Sequence, residues 1–312
     1  MSSVEALLHV GDAARGKLWA EQLPGLVPDL SVRQWPDIGD PADIRYLAAW
    51  TLPPGLLESL PDLRFAMSIG AGVDQLDVAA IPPHLPLLRM TESTLIDGMV
   101  EYVMMTVLML HRDMPHYLTE QQAGRWTPRR RVAATDRHIG VMGMGMLGRA
   151  VLERLADFGF VLSGWSRSPR DMPGVHCHAG MAALPDFLAR LDMLICLLPL
   201  TPETRGLLAA PVFRALPAGA ALINAGRGGH LIASDLLAAL DSGHLSAAIL
   251  DVTDPEPLPA DHPFWHHPRV LLTPHVASST DPASAAGFIA DAILRDRAGM
   301  PLPGRVDRSA GY

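Results

Sequence analysis

Lysine is almost absent from this chain: Lys17 is the only one among its 25 basic residues, and all the others are arginines. Schiff-base catalysis and the phosphate loop of P-loop proteins both need a lysine, and Lys17 has no glycine-rich loop around it. Cysteine is nearly as scarce, since Cys177 and Cys196 are the only two and their spacing is not that of a CxxC pair. We therefore expect no Schiff-base or P-loop chemistry, no disulfide framework and no thiol redox site.

Positive charge is in deficit overall, because 25 basic residues face 33 acidic ones and give a formal net charge of −8. This balance argues against a general nucleic-acid surface, which needs a basic field. Long apolar runs are also missing: the longest uncharged stretch, Met172 to Pro185, is interrupted by proline, glycine and histidine, whereas a membrane helix needs about 20 apolar residues. The N-terminus lacks the basic start of a signal peptide. We expect a cytoplasmic protein without nucleic-acid or membrane contacts that acts on small molecules.

Thirteen histidines make metal binding worth considering. Potential ligands occur in His176-Cys177-His178 and in the set His262, His266 and His267. Neither group has the spacing of a known ligand framework, so packing or solvent-exposed roles are the simpler interpretation. The sequence predicts no metal site.

The chain of 312 residues is long enough for two domains. Short β-like runs alternate with helix-like segments throughout, which is typical of parallel sheets with helices on both faces. The prediction is two doubly wound α/β domains, one made of residues 1–97 with 281–312 and the other of residues 98–280. Long helices are expected at Gly98 to His116 and Pro282 to Arg297. The predicted strands are Ala6 to Val10, Ser31 to Trp35, Tyr46 to Trp50, Arg64 to Ser68, His138 to Met142, Phe160 to Trp165, Met193 to Leu198, Ala220 to Asn224, Ala247 to Asp251 and Val270 to Thr273.

A glycine motif directly follows the fifth of these strands. Gly143, Gly145 and Gly148 have the GxGxxG spacing, and the residues after them begin a predicted helix. In that position glycines allow a tight turn, a close approach of the backbone to a pyrophosphate and close packing of helix on strand. The motif alone is weak, but between a strand and a helix it predicts a dinucleotide site, with phosphate bound by the amides of Met146 and Leu147.

The second strand of such a unit normally ends in a carboxylate that binds the adenosine ribose. Here that place holds Ser166, Arg167 and Ser168, and no carboxylate. A guanidinium and two hydroxyls suit the 2′-phosphate that distinguishes NADPH from NADH. We therefore predict NADPH as the cofactor, with NADH possible but weaker. The alternative is that Arg167 is an ordinary surface arginine.

Three later segments each follow a predicted strand and carry a residue type suited to the reduction of a 2-oxo acid. They contain Arg227, Glu256 and His275. Because the carboxyl ends of parallel strands meet at one edge of a sheet, we expect the three side chains to converge there. A guanidinium can bind the substrate carboxylate and carbonyl, an imidazolium can deliver a proton, and a carboxylate can keep that imidazole oriented and charged.

Together these segments resemble the D-isomer-specific 2-hydroxyacid dehydrogenase family. The resemblance covers nearly the whole chain and includes Ile69 to Asp74, the glycine motif, Trp165-Ser166-Arg167, the three catalytic segments and Val306 to Tyr312. Within the family, the likeness is closest to the shorter, NADPH-preferring reductases of glyoxylate and hydroxypyruvate. Two positions depart from relatives: Thr253 stands where an aromatic residue is common, and Pro169 interrupts the basic run after Ser168.

The resemblance implies a Rossmann cofactor domain, a flavodoxin-like substrate domain, an active site in the cleft between them and a homodimer built around the cofactor domain. Arg227 is then the substrate-binding and carbonyl-polarising residue, His275 the acid/base histidine and Glu256 its partner. The further contacts that it implies are to the cofactor from Leu198, Pro199, Thr201, Ala225 and Asp251, and to the substrate from Trp50, Ala71, Gly72 and Val73.

The implied reaction is the NADPH-dependent reduction of glyoxylate and hydroxypyruvate to glycolate and D-glycerate, with His275 as proton donor. Another D-2-hydroxyacid dehydrogenase, such as a phosphoglycerate dehydrogenase, is the nearest alternative. A binding protein that senses the dinucleotide, as corepressors on this scaffold do, is disfavoured because Arg227, Glu256 and His275 are all retained. Formate oxidation is disfavoured because that branch replaces the carboxylate partner of the histidine with an amide.

Overall fold

The computed structural model of the chain describes residues 5–308. It divides into two compact units, one running to Leu95 and resuming at Ser279, the other spanning Ile96–Ser278. Each unit has its own sheet with flanking helices, which confirms the predicted class of two parallel-sheet α/β domains. Gly311 and Tyr312, which belong to the last family-like motif, lie outside the described residues.

Within residues 5–308 the chain forms twelve strands and eight α-helices. The strands are β1 (Glu5–Val10), β2 (Leu30–Gln34), β3 (Ile44–Ala49), β4 (Phe65–Ser68), β5 (Leu87–Arg89), β6 (His138–Met142), β7 (Val161–Ser166), β8 (Val175–Ala179), β9 (Met193–Cys196), β10 (Ala220–Asn224), β11 (Leu245–Leu250) and β12 (Val270–Leu272). The helices are α1 (Ala13–Leu26), α2 (Ser93–His111), α3 (Met114–Gln122), α4 (Met146–Ala156), α5 (Leu184–Leu188), α6 (Ala210–Ala215), α7 (Ala233–Asp241) and α8 (Pro282–Arg297).

Both sheets are parallel throughout. The first unit has the strand order β2-β1-β3-β4-β5, which is the flavodoxin-like order. The second has the order β12-β11-β10-β9-β6-β7-β8, so successive strands run outward in both directions from β6 and β9, as in a Rossmann sheet. Helix α8 has the bounds that the sequence predicts and packs on α1, where the Trp19 indole donates a hydrogen bond to the carbonyl of Pro282 at 2.9 Å.

Two strands escape prediction from the sequence. Strand β5 has only three residues, too few for a recognisable alternation. Strand β8 lies at the edge of its sheet and is partly exposed, and it contains the polar run His176-Cys177-His178. Neither segment therefore has the continuous apolar character of a strand buried on both faces. The ten predicted strands all form, with ends within two residues of those expected.

The predicted helix Gly98 to His116 is wrong at both ends. Helix α2 begins earlier because the Glu92 carboxylate accepts hydrogen bonds from the first amides of the helix. It ends at His111 because Asp113 adopts a left-handed φ of 55°, and α3 then starts at Met114 with Pro115 in its first turn. By length and composition alone α2 could cross a membrane, but Val103 and Val107 are fully buried in the core of the second unit.

Hydrophobic cores cover both faces of each sheet, as expected of parallel strands between helices. All five residues of β10 are buried. Leu222 packs in one cluster with Phe213, and the next residue, Ile223, packs in the other with Val141. Full burial of such side chains contributes roughly 1.5–3 kcal/mol each. The strand ends are therefore well anchored, and the loops that follow them start from defined positions.

Candidate active site

The central strands of the second unit end at one level of its sheet. The register pairs Met142 with Cys196, Cys196 with Asn224, Asn224 with Leu250, and Leu250 with Leu272. The glycine motif and the segments that carry the predicted arginine, glutamate and histidine all leave the sheet at this edge. Ligands of open α/β sheets bind outside the carboxyl ends of the strands.

The glycine motif forms the turn between β6 and α4. Gly143 has a φ of +105°, and a Cβ there would lie 2.7 Å from a carbonyl oxygen of the neighbouring loop. A Cβ on Gly148 would lie 1.8 Å from the Gly143 oxygen, whereas one on Gly145 would meet no atom within 4 Å. Helix α4 begins without a side-chain cap. The turn therefore offers open space beside first-turn amides, those of Met146 and Leu147 included, and fits a pyrophosphate.

The residues predicted to hold the 2′-phosphate follow β7. Ser166 is buried and its hydroxyl donates to the Ser168 carbonyl at 2.7 Å, so it shapes the turn, whereas Arg167 and Ser168 are exposed. The pKa of Glu203 is lowered, mainly by a hydrogen bond from the Thr201 hydroxyl, and the charge of Arg167 acts in the same direction. Arg167 and Thr201, both predicted cofactor contacts, therefore influence one exposed carboxylate.

The loop after β9 contains three more predicted cofactor residues. Leu198 is buried, and the Pro199 carbonyl accepts a hydrogen bond from the Thr204 hydroxyl at 2.8 Å. The amide of Thr201 donates to that same hydroxyl at 2.8 Å. The buried Ala225 begins the adjacent loop, and its amide donates to the last carbonyl of β9 at 3.2 Å. Thr204 thus organises this loop. The sequence predicts its neighbours Leu198, Pro199 and Thr201 as cofactor contacts, but not Thr204.

Arg227 lies three residues beyond β10 in a turn held by the fully buried Asn224. The Asn224 side chain donates to the Arg227 carbonyl at 3.1 Å and accepts from the Gly226 amide at 3.2 Å. The guanidinium of Arg227 donates to the Gly226 carbonyl at 2.9 Å. A Cβ on Gly228 would lie 1.9 Å from the carbonyl oxygen of Thr253. The arginine turn therefore packs directly against the loop that follows β11.

His275 and Glu256 form a hydrogen-bonded pair, with 2.9 Å between Nδ1 and Oε2. The second carboxylate oxygen accepts from the Thr253 amide at 3.1 Å. The His275 backbone has a left-handed φ of 55°, a conformation that is uncommon outside glycine and is concentrated at functional sites. Because a carboxylate can only accept, Nδ1 carries the proton that it shares with Glu256. Nε2 is then the nitrogen suited to exchange a proton with a substrate.

The turn that carries His275 is held by Asp251, whose side chain is only 2% exposed. Its Oδ1 accepts from the Thr273 hydroxyl at 2.6 Å and the Val276 amide at 2.8 Å, and its Oδ2 accepts from the Ala277 amide at 2.8 Å. The sequence predicts Asp251 as a cofactor contact, which stays a prediction. Both of its oxygens are engaged in orienting the histidine turn.

Thr273 and Tyr102 extend this network, and sequence reasoning missed both. The Tyr102 hydroxyl lies 2.7 Å from Oγ1 of Thr273. Burial is the main cause that raises the pKa of Tyr102 to about 12, so its hydroxyl stays protonated. The available signals were a threonine two residues before His275 and one tyrosine in a helix rich in apolar residues.

The predicted substrate residues Ala71, Gly72 and Val73 lie in the first unit, just after β4. The buried Ser68 organises their turn by donating to the Gly72 carbonyl at 2.6 Å and accepting from the Gly70 amide at 3.2 Å. Gln75 donates to the Ser68 hydroxyl at 2.8 Å. Sequence reasoning missed Ser68, although a serine that ends a buried strand is a usable signal.

Trp50, the other predicted substrate residue of the first unit, follows β3 and is 38% exposed. Its ring lies over the same glycine turn, since a Cβ on Gly70 would come within 2.9 Å of it. Trp50 and the Gly70–Val73 turn thus form one surface of aromatic ring and backbone.

Among residues 5–308, no three side chains of histidine, cysteine, aspartate or glutamate come together as a metal-binding group. His262 instead accepts a hydrogen bond from the Phe264 amide, and His267 lies 3.3 Å from Asp241. These contacts give the histidines local structural roles.

Comparison with known proteins places the chain beside one family. Residues 104–277 match the family described as D-isomer specific 2-hydroxyacid dehydrogenase, NAD binding domain. The chain is 39% identical over 302 residues to a glyoxylate/hydroxypyruvate reductase A of Yersinia enterocolitica, a match that covers 95% of this chain and 96% of that protein.

Solved structures give the same result. A D-isomer specific 2-hydroxyacid dehydrogenase from Xanthobacter autotrophicus, in complex with NADPH and MES, has a TM-score of 0.93 and 38% identity, covering 99% of this chain and 100% of that one. An NADPH-dependent glyoxylate/hydroxypyruvate reductase from Sinorhizobium meliloti, in complex with NADP and sulfate, has a TM-score of 0.91 and 37% identity, with coverage of 99% and 100%.

Proposed function

The chain belongs to the D-isomer specific 2-hydroxyacid dehydrogenase family, and we propose that it reduces glyoxylate and hydroxypyruvate to glycolate and D-glycerate. It is an NAD(P)-dependent oxidoreductase. The observation that carries the proposal is the hydrogen-bonded pair of His275 and Glu256, in a loop at the same sheet edge as Arg227 and the glycine turn.

The cofactor is NADPH. The relatives from Xanthobacter autotrophicus and Sinorhizobium meliloti were solved with NADPH or NADP. In this chain the glycine turn and the first amides of α4 would hold the pyrophosphate, and Arg167 with Ser168 would hold the 2′-phosphate. When bound, NADPH supplies the hydride that the substrate's carbonyl carbon accepts. We propose that Leu198, Pro199, Thr201 and Ala225 contact its nicotinamide end.

The chain's own side chains supply the rest of the chemistry. Arg227 binds the substrate carboxylate and polarises its carbonyl, a task suited to a planar guanidinium that keeps its charge. His275 gives the proton from Nε2 to the carbonyl oxygen, while Glu256 holds Nδ1–H and balances the charge of the ring before transfer. The left-handed backbone at His275 and the Asp251 clamp keep the imidazole oriented for this transfer.

We propose that the second unit is the cofactor domain and that the first, completed by α8, is the substrate domain. In the first unit the amides of Ala71, Gly72 and Val73 would bind the substrate carboxylate, with Trp50 limiting substrate size. The hydrogen bonds of Ser68 support this assignment, because they hold the turn that contains these amides in place.

We also propose a homodimer located in the cytoplasm. Exposed apolar side chains on α2, on α3 and just after them support the dimer: Met105, Met114, Leu118 and Trp126, the last of them 96% exposed. The two cysteines are not joined in a disulfide, as in most proteins of reducing compartments.

A spectrophotometric panel tests the proposed function. Glyoxylate, hydroxypyruvate, pyruvate and longer 2-oxo acids would each be supplied with NADPH and then with NADH. We expect the highest kcat/KM with glyoxylate and hydroxypyruvate, in each case with NADPH. A strong preference for a larger 2-oxo acid would favour another dehydrogenase of the family. Absence of cofactor oxidation with every acid would favour a dinucleotide-sensing protein instead.

A further inference from the structure

We propose that His230 is a positioning residue that sets the backbone of Arg227 and ties it to the loop after β9. The inference rests on the proposed role of Arg227 in substrate binding. His230 lies three residues after Arg227, and its side chain is fully buried. It does not belong to the set of residues that the sequence singles out for catalysis.

One imidazole ring joins two loops at the sheet edge. The backbone amide of Arg227 donates to Nδ1 of His230 at 3.1 Å, and Nε2 lies 3.2 Å from the Pro199 carbonyl oxygen. Because Nδ1 accepts a hydrogen bond, the ring proton sits on Nε2 and is donated to Pro199. The Sγ atom of Cys196 lies 3.8 Å from Nδ1 and closes the pocket on that side.

The ring also fits tightly, because a glycine makes room for it. A Cβ on Gly226 would lie 3.2 Å from both Cε1 and Nδ1 of His230. The His230 carbonyl accepts from the Leu208 amide at 2.8 Å, so the backbone behind the ring is also held. The Asn224 side chain holds the same turn by donating a hydrogen bond to the Arg227 carbonyl. The peptide groups on both sides of the Arg227 Cα are therefore held by buried side chains.

Loss of the imidazole affects the two loops unequally. The Pro199 carbonyl keeps its other donor, the Thr204 hydroxyl at 2.8 Å, so this carbonyl loses one hydrogen bond of two. The Arg227 amide loses the acceptor that His230 supplies, so the backbone at Arg227 is held less firmly and the turn can shift. A misplacement of about 1 Å in a substrate-orienting group can cost roughly 100-fold in rate. The deficit should therefore appear with the 2-oxo acid and not in NADPH binding.

The test compares His230→Leu and His230→Asn with His244→Leu as the matched control. His244 also lies in the second unit and directs Nε2 to a carbonyl, that of Phe213 at 2.7 Å, but it precedes β11 and so lies at the opposite edge of the sheet. For His230→Leu we expect kcat/KM for glyoxylate to fall roughly 10- to 100-fold. NADPH affinity, measured by fluorescence titration, should stay close to wild type.

His230→Asn should recover most of the lost kcat/KM, since its short side chain still offers an acceptor to the Arg227 amide. His244→Leu should lower Tm without this kinetic change. Wild-type kcat/KM in His230→Leu, or equal losses in the leucine and asparagine variants, would overturn the inference.

Two further measurements keep the outcomes separate. If His230→Leu does not fold, hydrogen exchange in the wild-type enzyme decides: the Arg227 amide should exchange slowly, and exchange at the rate of an exposed amide would overturn the inference. An active Arg227→Gln enzyme would refute the proposed function of Arg227. An inactive Arg227→Gln enzyme beside unaffected His230 variants would refute only the positioning role.

Discussion

Replacing Asp251 by asparagine removes one charge from the clamp on the histidine turn and changes almost nothing in size. The carboxylate accepts from three donors, the Thr273 hydroxyl and the amides of Val276 and Ala277. An asparagine has one oxygen and one NH₂ group. If the oxygen stays with Thr273 and Val276, the NH₂ group faces the Ala277 N–H, and two donors then oppose each other.

The expected loss follows from this count. Hydrogen bonds to a charged group contribute about 1.5–3 kcal/mol each, against about 0.5–1.5 kcal/mol for neutral ones. One bond of Asp251 is lost, and the two that remain each weaken by about 1 kcal/mol. The free energy of unfolding should therefore fall by about 3.5–5 kcal/mol, a large part of the roughly 5–15 kcal/mol typical of native proteins.

Urea unfolding at constant pH measures this change, and steady-state kinetics measures its consequence at His275. We expect kcat to fall as well, since the relaxed turn no longer holds the left-handed backbone of the histidine. Asp235→Asn is the control, because among residues 5–308 the Asp235 carboxylate accepts only from the Ala210 amide, at 2.8 Å, and an asparagine can turn its oxygen to that donor. A loss below about 1 kcal/mol in Asp251→Asn, no larger than in this control, would refute the reasoning.

Four other variants test charge and proton transfer. Arg167→Asp should weaken NADPH binding far more than NADH binding. Glu203→Gln should strengthen NADPH binding by a few-fold at most, since Arg167 and Glu203 are both exposed. Fluorescence titration measures both changes, and equal effects of Arg167→Asp on the two cofactors would contradict the assignment of Arg167 to the 2′-phosphate. His275→Ala should lower kcat by about 10²–10⁴-fold with little change in NADPH affinity, and near-normal turnover would rule out the proton-donor role. Hydrogen bonds from Arg125 and then Thr127 lower the pKa of Glu120 from 4.5 to about 2, so the ionised carboxylate stabilises the fold above about pH 4.5 and this contribution fades as pH falls toward 2. The Tm difference between wild type and Glu120→Gln should shrink over that range, and a constant difference down to pH 3 would contradict it.

The sequence was sufficient to predict which strands the proposed catalytic residues follow. Arg227, Glu256 and His275 follow apolar strands, and parallel strands bring such positions to one edge whatever the lengths of the connecting helices. The pairing of Glu256 with His275 at 2.9 Å follows from that rule. Their catalytic roles stay predictions until the variants are measured.

Residues that hold the loops in place were harder to predict, because their partners lie in other segments of the chain. Tyr102 lies in α2 and meets Thr273, which is 171 positions away. His230 meets the Pro199 carbonyl across two adjacent loops. A single sequence shows neither the register nor the loop geometry that brings these groups together. Such contacts become visible only when the sheet positions the loops.

Helix ends were uncertain for a similar reason. The start of α2 depends on Glu92, whose carboxylate accepts hydrogen bonds from the amides of Thr94 and Leu95 at 2.8 and 3.1 Å. A glutamate is a less characteristic cap than serine, threonine or aspartate. The break at Asp113 depends on one left-handed residue, which aspartate tolerates but does not require.

One feature recurs at three of the loops that carry proposed site residues. Ser68 at the end of β4, Asn224 at the end of β10 and Asp251 just after β11 are at most 2% exposed. Ser68 and Asn224 each accept a backbone N–H of the loop that follows them, and Asp251 accepts two from the loop that follows the neighbouring strand β12. Because a buried polar group needs a partner, such a residue restrains the loop that it contacts to one conformation. Arg227 and His275 can then stay partly exposed for a substrate while their backbones remain fixed. A polar residue at the carboxyl end of a buried parallel strand therefore indicates an organised loop, even where its own side chain takes no part in the chemistry.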